Sequence, residues 1–424
     1  MRNTTCPWLF AISLIVTAGA AGQSPQEGQL ARTMEKIQQD MTGIPNYTCL
    51  ETIGRSHRDP HSRSFKPVDT VRLEVSSVDG KELFAWPGGR RFEDQDVTSM
   101  VSSGFRGNGV FAGFARTVFF ASRVSLQYGG EENLAGRGSV RYDFHFPPLM
   151  DGGWNIQTGT GSAIVAAKGS FWFDPTSLDL IRLDAHADDI PVRLHLDEAV
   201  IRIDFARAHI GNSDALLPKR SELTMTFFTG EAARDVIEFA QCREYASEST
   251  ISFEAPSAPL AEVPKPPVRE VDLPAGLLVP VELDTAIDSK TASVGDPLHA
   301  RVVEEVRYKG DVVVPRGAAL TGHIRSLDRD ASPGSFAVGI QFSEVAWEGA
   351  RARFYAELVD LNRKSAGAHL QTHNEGGASK ARIESETPGV GVFYIDGTGF
   401  RTAPGFHMLW RTLARPAGAA PRQR

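Results

Sequence analysis

Between Ala255 and Pro267 the chain runs Ala255-Pro256-Ser257-Ala258-Pro259 and, five residues on, Pro264-Lys265-Pro266-Pro267. Proline lacks the backbone N–H that a helix or a sheet ladder requires, so this stretch propagates neither and favours an extended spacer. Any fold must therefore be built separately on its two sides. That divides the chain into an N-terminal part over 23–254, a linker over 255–270 and a C-terminal part over 271–415. With 424 residues, two domains are expected, or three, because single cores stop growing near about 250–300 residues.

Before the linker, one helix and many strands are predicted. Leu30, Met34, Ile37 and Met41 recur every three to four residues, the stripe of a helix that buries one face, and Gly43 and Pro45 stop it. Alternation then takes over. Tyr47, Cys49 and Glu51 share one face against Thr48, Leu50 and Thr52, and Val71, Leu73 and Val75 oppose Arg72, Glu74 and Ser76. Asp79-Gly80 joins the second run to Leu83–Trp86 as a hairpin turn. A second helix is expected over Val110–Phe120, followed by strands at Val124–Tyr128, Val140–Phe146, Ser170–Phe173, Leu180–Ala187, Ala199–Ala208, Ser221–Phe228 and Val236–Tyr245. An antiparallel sheet, curved and covered by the first helix, satisfies this pattern.

After the linker, shorter strands are expected at Leu277–Leu283, His299–Val306, Asp311–Val314, Ala319–Arg325, Ala337–Val345, Ala352–Val359, Gly391–Ile395 and His407–Arg411. Their spacing fits a small β-barrel. Asn362–Pro388 is polar and Gly-rich and reads as a mobile loop, and 416–424 as a disordered tail. The predicted class is mainly β (α+β): a curved antiparallel sheet under a helix, a Pro-rich linker, and a small barrel.

The start of the chain bears on compartment. Arg2, the uncharged run Trp8–Val16 and the small residues Ala18-Gly19-Ala20 have the form of a cleaved signal peptide over 1–22. That run is shorter than the roughly 20 apolar residues a retained helix needs. A periplasmic or secreted location is expected, with no transmembrane span after cleavage. Cys6 precedes the apolar run and is not placed for lipidation. Of the three cysteines, Cys49 and Cys242 then remain, an even number that suits one disulfide in an oxidising compartment; two buried thiols are the alternative. Basic and acidic residues are interspersed at net charge −7, without the cationic stripe of a nucleic-acid binder.

Two resemblances add to this. Leu273 to Ser289, with Val294-Gly295-Asp296 and then Val312 to Ile324 including Pro315-Arg316-Gly317, resembles the outer-membrane-core β-barrel domain of type IV secretion and conjugation channels. The match spans about Val271–Val359 and implies a barrel, not secretion. Asn46-Tyr47-Thr48-Cys49, Leu216-Leu217-Pro218 and Cys242-Arg243-Glu244-Tyr245 resemble secreted soil-bacterial proteins of unassigned function, and the N-terminal topology is similar to the half-barrel of outer-membrane lipoprotein carriers.

Candidate chemistry is sparse. Asp184, His186 and Asp188 alternate along one strand and could hold a divalent metal, although Leu183, Ala185 and Ala187 between them equally mark a solvated outer face. His57 and His61 flank a loop with Pro60 and offer no third ligand. Gly107, Gly109 and Gly113 lack the spacing of a phosphate loop. Nucleophile elbows and zinc-protease signatures are missing from the sequence. Phe105, Phe111, Phe114, Phe119 and Phe120 either line an apolar groove or pack the core. The expected function is non-enzymatic and cofactor-free: an exported envelope protein binding a lipid, another hydrophobic ligand or an envelope protein partner. A secreted hydrolase with a fold-assembled site and an architectural envelope component are the alternatives.

Overall fold

The computed structural model describes residues 25–78, 81–89, 113–148, 153–245, 268–332, 335–361, 370–372, 381–384, 388–397 and 399–414. The leader-like segment, most of the linker and the tail lie outside them.

Helix α1 (Pro25–Thr42) buries the predicted stripe: Ile37 is fully enclosed, with Leu30, Met34 and Met41 packed beside it. Strands β1 (Tyr47–Arg58), β2 (Lys66–Val78) and β3 (Lys81–Ala85) follow, and Val78 pairs with Lys81 across the expected hairpin. A short helix α2 (Gly113–Phe120) precedes β4 (Ser125–Leu134), β5 (Arg137–Phe146), β6 (Trp154–Thr158), β7 (Gly161–Phe173) and β8 (Leu180–Asp188). Next come β9 (Leu196–Ile210), β10 (Ser213–Phe227) and β11 (Ala232–Glu244). These form one 11-stranded antiparallel sheet in the order β3-β2-β1-β11-β10-β9-β8-β7-β5-β4, with β6 on β7. Pro218 sits inside β10, where a register shift between Pro218 and Arg220 accommodates its missing donor.

Beyond the linker the chain supplies β12 (Arg269–Val271), β13 (Leu278–Leu283), β14 (Pro297–Val302), β15 (Val306–Tyr308), β16 (Asp311–Val314), β17 (Ala319–Ser332) and β18 (Ser335–Trp347). Then follow β19 (Ala350–Arg353), β20 (Ala356–Leu361), β21 (Leu370–Thr372), β22 (Ala381–Glu384), β23 (Gly391–Asp396), β24 (Phe400–Thr402) and β25 (Phe406–Thr412). Ten of them make a second sheet, β12-β19-β18-β17-β14-β13-β25-β20, with β22 and β23 branching from β18. The sheet curls until β20 touches β22 and β23. Gly391 permits that closure, because a Cβ there would meet Leu358 and Trp410 at 2.6 Å.

Several boundaries differ from the sequence expectation. Ala352–Val359 is two strands, because Phe354 donates its N–H to Ser343 O at 2.8 Å before the chain leaves β18 for β25. His299–Val306 likewise divides where Val303 N bonds Pro280 O at 3.0 Å. Within the polar 362–388 segment, β21 pairs with β24 and β22 with β23. Their partners are remote in sequence, so local polarity concealed them.

The sheets take their strands from opposite sides of the linker, yet apolar residues of β1, β2 and β3 form one continuous core with those of the second sheet. At the seam, Val71 bridges Val294: Arg72 N donates to Val294 O and Val294 N to Thr70 O, both at 2.8 Å. The Arg72 guanidinium meets Asp296 at 2.7 Å. Trp86 stacks on His323 with ring centroids 5.8 Å apart and lies under the Arg325 guanidinium at 4.9 Å.

Candidate functional site

Because side chains alternate across a strand, residues paired in register on neighbouring strands lie on one face. Cα pairing draws two rows across the concave face of the first sheet. One runs Val71–Ile53–Ile237–Ser221–Ile203–Leu183–Phe171–Tyr142–Tyr128. The next runs Asp69–Arg55–Asp235–Leu223–Ile201–Ala185–Gly169–Phe144–Leu126. The second row begins with three charged residues and ends in aromatic and aliphatic ones. The face is bipolar.

At the aromatic end, α1 and α2 cover the sheet. Phe119 meets Phe171 edge-on with centroids 5.1 Å apart, and Phe114 meets Trp154 edge-on at 5.1 Å and Phe146 at 6.0 Å. Such aromatic pairs each contribute about 0.5–1.5 kcal/mol beyond area burial. The small residues Ala163, Ala167 and Ala185 belong to the same packing, and Gly169 lets β7 lie close against β8, since a Cβ there would collide with the Asp184 carbonyl oxygen. Hydrogen bonds tie the covering helices to each other and to the sheet. Gln38 Nε2 donates to Phe119 O at 2.6 Å, and Tyr142 Oη donates to Gln26 O at 3.0 Å. At its far end α1 is anchored by Arg207, which bridges Asp40 at 2.9 Å and Asp179 at 2.5 Å.

Of the five phenylalanines singled out from the sequence, Phe114 and Phe119 lie in this packing. Phe120 points to solvent at 39% exposure beneath the Arg116 guanidinium. Phe105 and Phe111 fall outside the described residues, as does the glycine-bearing stretch 107–112.

The polar end is buried too. Arg55 and Asp69 form a two-pronged ion pair, Nε to Oδ1 at 2.6 Å and Nη2 to Oδ2 at 2.5 Å, with both side chains nearly inaccessible. Asp235 stands opposite Arg55 on β11 and is 1% exposed. Four residues before Arg55, two steps back in the inward alternation, Glu51 is fully buried, and neither carboxylate oxygen has a hydrogen-bond partner among the described residues. Leu73 and Phe239 oppose it on β2 and β11. Burial pushes the Glu51 carboxyl up to about 8, and the Glu82 carboxylate adds to the shift. Burial also raises the Tyr47 phenol, again with Glu82 contributing. Alternation already placed Glu51 on one face with Tyr47 and Cys49; its isolation required knowing which face is enclosed. A disulfide joins Cys49 to Cys242 close by, across β1 and β11.

The other sequence candidates find different partners. Asp184 is held by Arg202 at 2.9 Å, Asp188 by Lys168 at 3.2 Å, and His186 stands 3.8 Å from Glu198. The interleaved Leu183 and Ala185 face the core, and Asp184, His186 and Asp188 lie on the opposite face among these ion-pair partners. Among the described residues no group of three or more His, Cys, Asp or Glu could hold a metal ion. His57 lies 3.7 Å from Asp59, which Lys66 also pairs at 2.8 Å. Away from the concave face, a hollow of about 380 Å³ opens beside the seam, lined by Asp288, Asp296, Leu298, Ile324 and Arg401.

No protein-family model and no curated protein matches this chain. Among solved structures, a DUF1329 family protein from Desulfovibrio piger is similar at 12% identity and TM-score 0.27, over 52% of this chain and 95% of that one. A domain described as an outer membrane lipoprotein-sorting protein from Vibrio parahaemolyticus is similar at 11% identity and TM-score 0.26, over 50% and 92%. The Mycobacterium tuberculosis lipoprotein LppX gives 12% identity and TM-score 0.18, over 51% and 98%. Likenesses this slight transfer no ligand and no activity. Among the described residues no helix is long and apolar enough to cross a membrane.

Proposed function

We propose that this is an exported, non-enzymatic envelope protein that binds a long-chain amphiphile on the concave face of its first sheet. The bipolar row carries the proposal. A continuous row of paired residues running from Asp69, Arg55 and Asp235 to Phe144 matches the order of a polar head and an apolar tail. From Arg55 on β1 to Phe144 on β5 are six strand spacings, about 29 Å at roughly 4.8 Å each, a span that suits a long chain rather than a short one. The disulfide and the leader-like start support an oxidising, extracytoplasmic setting.

In this structure Phe114 and Phe119 occupy the aromatic end themselves. The tail takes their place when α2 lifts away. Binding then carries the cost of displacing α2, and weakening its hold should tighten apparent affinity.

The test is titration of the full chain with the neutral fluorophore N-phenyl-1-naphthylamine. Saturable enhancement is expected, reversed by long-chain amphiphiles, and several-fold tighter in Phe119→Ala or Phe114→Ala. Absence of saturable binding to wild type and to both folded variants overturns the proposal.

A further inference from the structure

Resting on that reading, we infer that Glu51 is the head-group subsite and that the ligand's head donates hydrogen bonds, a protonated primary amine being the class it fits. The carboxyl is completely enclosed, its two oxygens lack partners among the described residues, and it sits on the inner face of β1, where that strand shares a core with the second sheet. Its surroundings are apolar on every adjacent register position: Cys49 and Ile53 along β1, Leu73 on β2 and Phe239 on β11. A buried acceptor pair left unmade costs about 1–3 kcal/mol or more, and native structures rarely retain one without a use. Replacement by leucine would fill the same space without that cost.

The neighbouring charges favour a cation over an anion. Glu82 shares this face through the register Tyr47–Ser77–Glu82 and acts on the Glu51 carboxyl electrostatically. Farther along β1, Arg55 is already committed to Asp69, with Asp235 opposite. A fatty acid carboxylate would therefore meet two carboxyl groups and no uncommitted cation among these residues. An alkylammonium would meet acceptors on Glu51 and a favourable field from Glu82.

Near pH 7 Glu51 is held mostly protonated, so the exchange is specific. The neutral carboxyl gives its proton to solvent, and the resulting carboxylate accepts hydrogen bonds from the incoming ammonium group. Charge balances: one cation enters the site and one proton leaves for the buffer.

Displacement of N-phenyl-1-naphthylamine from the full chain by hexadecylamine and by hexadecanoate at pH 7 tests the assignment. Hexadecylamine should compete at least tenfold better than hexadecanoate. Glu51→Gln and Glu51→Leu should abolish that preference, amine and acid then displacing the fluorophore equally. Isothermal titration of hexadecylamine in buffers of different ionisation enthalpy should show close to one proton released by wild type and none by either variant. Equal competition by amine and acid, or a preference that survives in both variants, overturns the inference while leaving amphiphile binding standing. Failure of the fluorophore to bind at all removes the reading beneath it instead.

Discussion

Val294, far beyond the linker, lies beside Val71 as a parallel partner and completes the hydrogen bonds of the β2 edge at Thr70 and Arg72. An open edge here would present unpaired N–H and C=O groups, a template for association with other chains. The second sheet thus covers a liability of the first. The adjoining Gly295 makes the approach feasible: its φ is +93°, and a Cβ would collide with the Arg72 carbonyl oxygen and meet the Trp86 ring at 3.0 Å.

Gly295→Ala should therefore destabilise the protein by more than about 2 kcal/mol, combining a left-handed backbone with steric overlap. Urea unfolding followed by tryptophan fluorescence measures it. A loss below about 0.5 kcal/mol would show that the seam yields easily.

Removing the disulfide by Cys49→Ala with Cys242→Ala should cost about 2–5 kcal/mol. The sequence separation is 193, and a loop that long restricts the unfolded chain by roughly 5 kcal/mol in the entropy account. Thermal unfolding of the double variant against oxidised wild type gives the difference.

Asp69→Ala leaves the buried Arg55 guanidinium without its two-pronged partner and should cost about 3–5 kcal/mol. Replacing both residues with apolar side chains of similar size should be far milder than the single change. A double-mutant cycle by chemical denaturation separates the cases; simple additivity would refute the coupling.

Glu51 gives a pH signature whose sign is set by its raised value. Between the unfolded 4.5 and the folded value of about 8, the native state holds a proton that the unfolded chain has lost. Stability from this group is full below 4.5 and falls as pH rises, by up to about 1.4 kcal/mol per unit, until the loss is complete near 8. Glu51→Leu should flatten that slope in denaturation curves taken from pH 5 to 8.

His323 acts in the opposite direction. Burial lowers its imidazole to about 4, Arg325 and His299 reinforce this, and a hydrogen bond to the Pro87 backbone partly offsets it. Below about 6.5 the unfolded chain gains a proton that the folded ring refuses, so stability declines toward pH 4. His323→Gln should reduce that acid-side decline, and an unchanged acid limb would exclude the ring as its cause.

Much of the framework was legible in local pattern. The α1 stripe, the Asp79-Gly80 hairpin and the alternation through Leu183, Asp184 and Ala185 each depend on neighbours a few residues away. The outward assignment of Asp184, His186 and Asp188 was open to the same reasoning, since apolar residues between them already claimed the inner face. The site was less accessible. Nothing local distinguishes Glu51 from a carboxylate on a wet face, and nothing near Phe119 names Phe171 as its contact.

The sequence by itself determined the period of each segment, because dihedral preferences act within a few residues. Only the tertiary structure decided which face is enclosed, which strands meet and which charges lose water. Those outcomes depend on strand register and on contacts between residues hundreds of positions apart, where curvature of a whole sheet, not any single side chain, sets the surroundings.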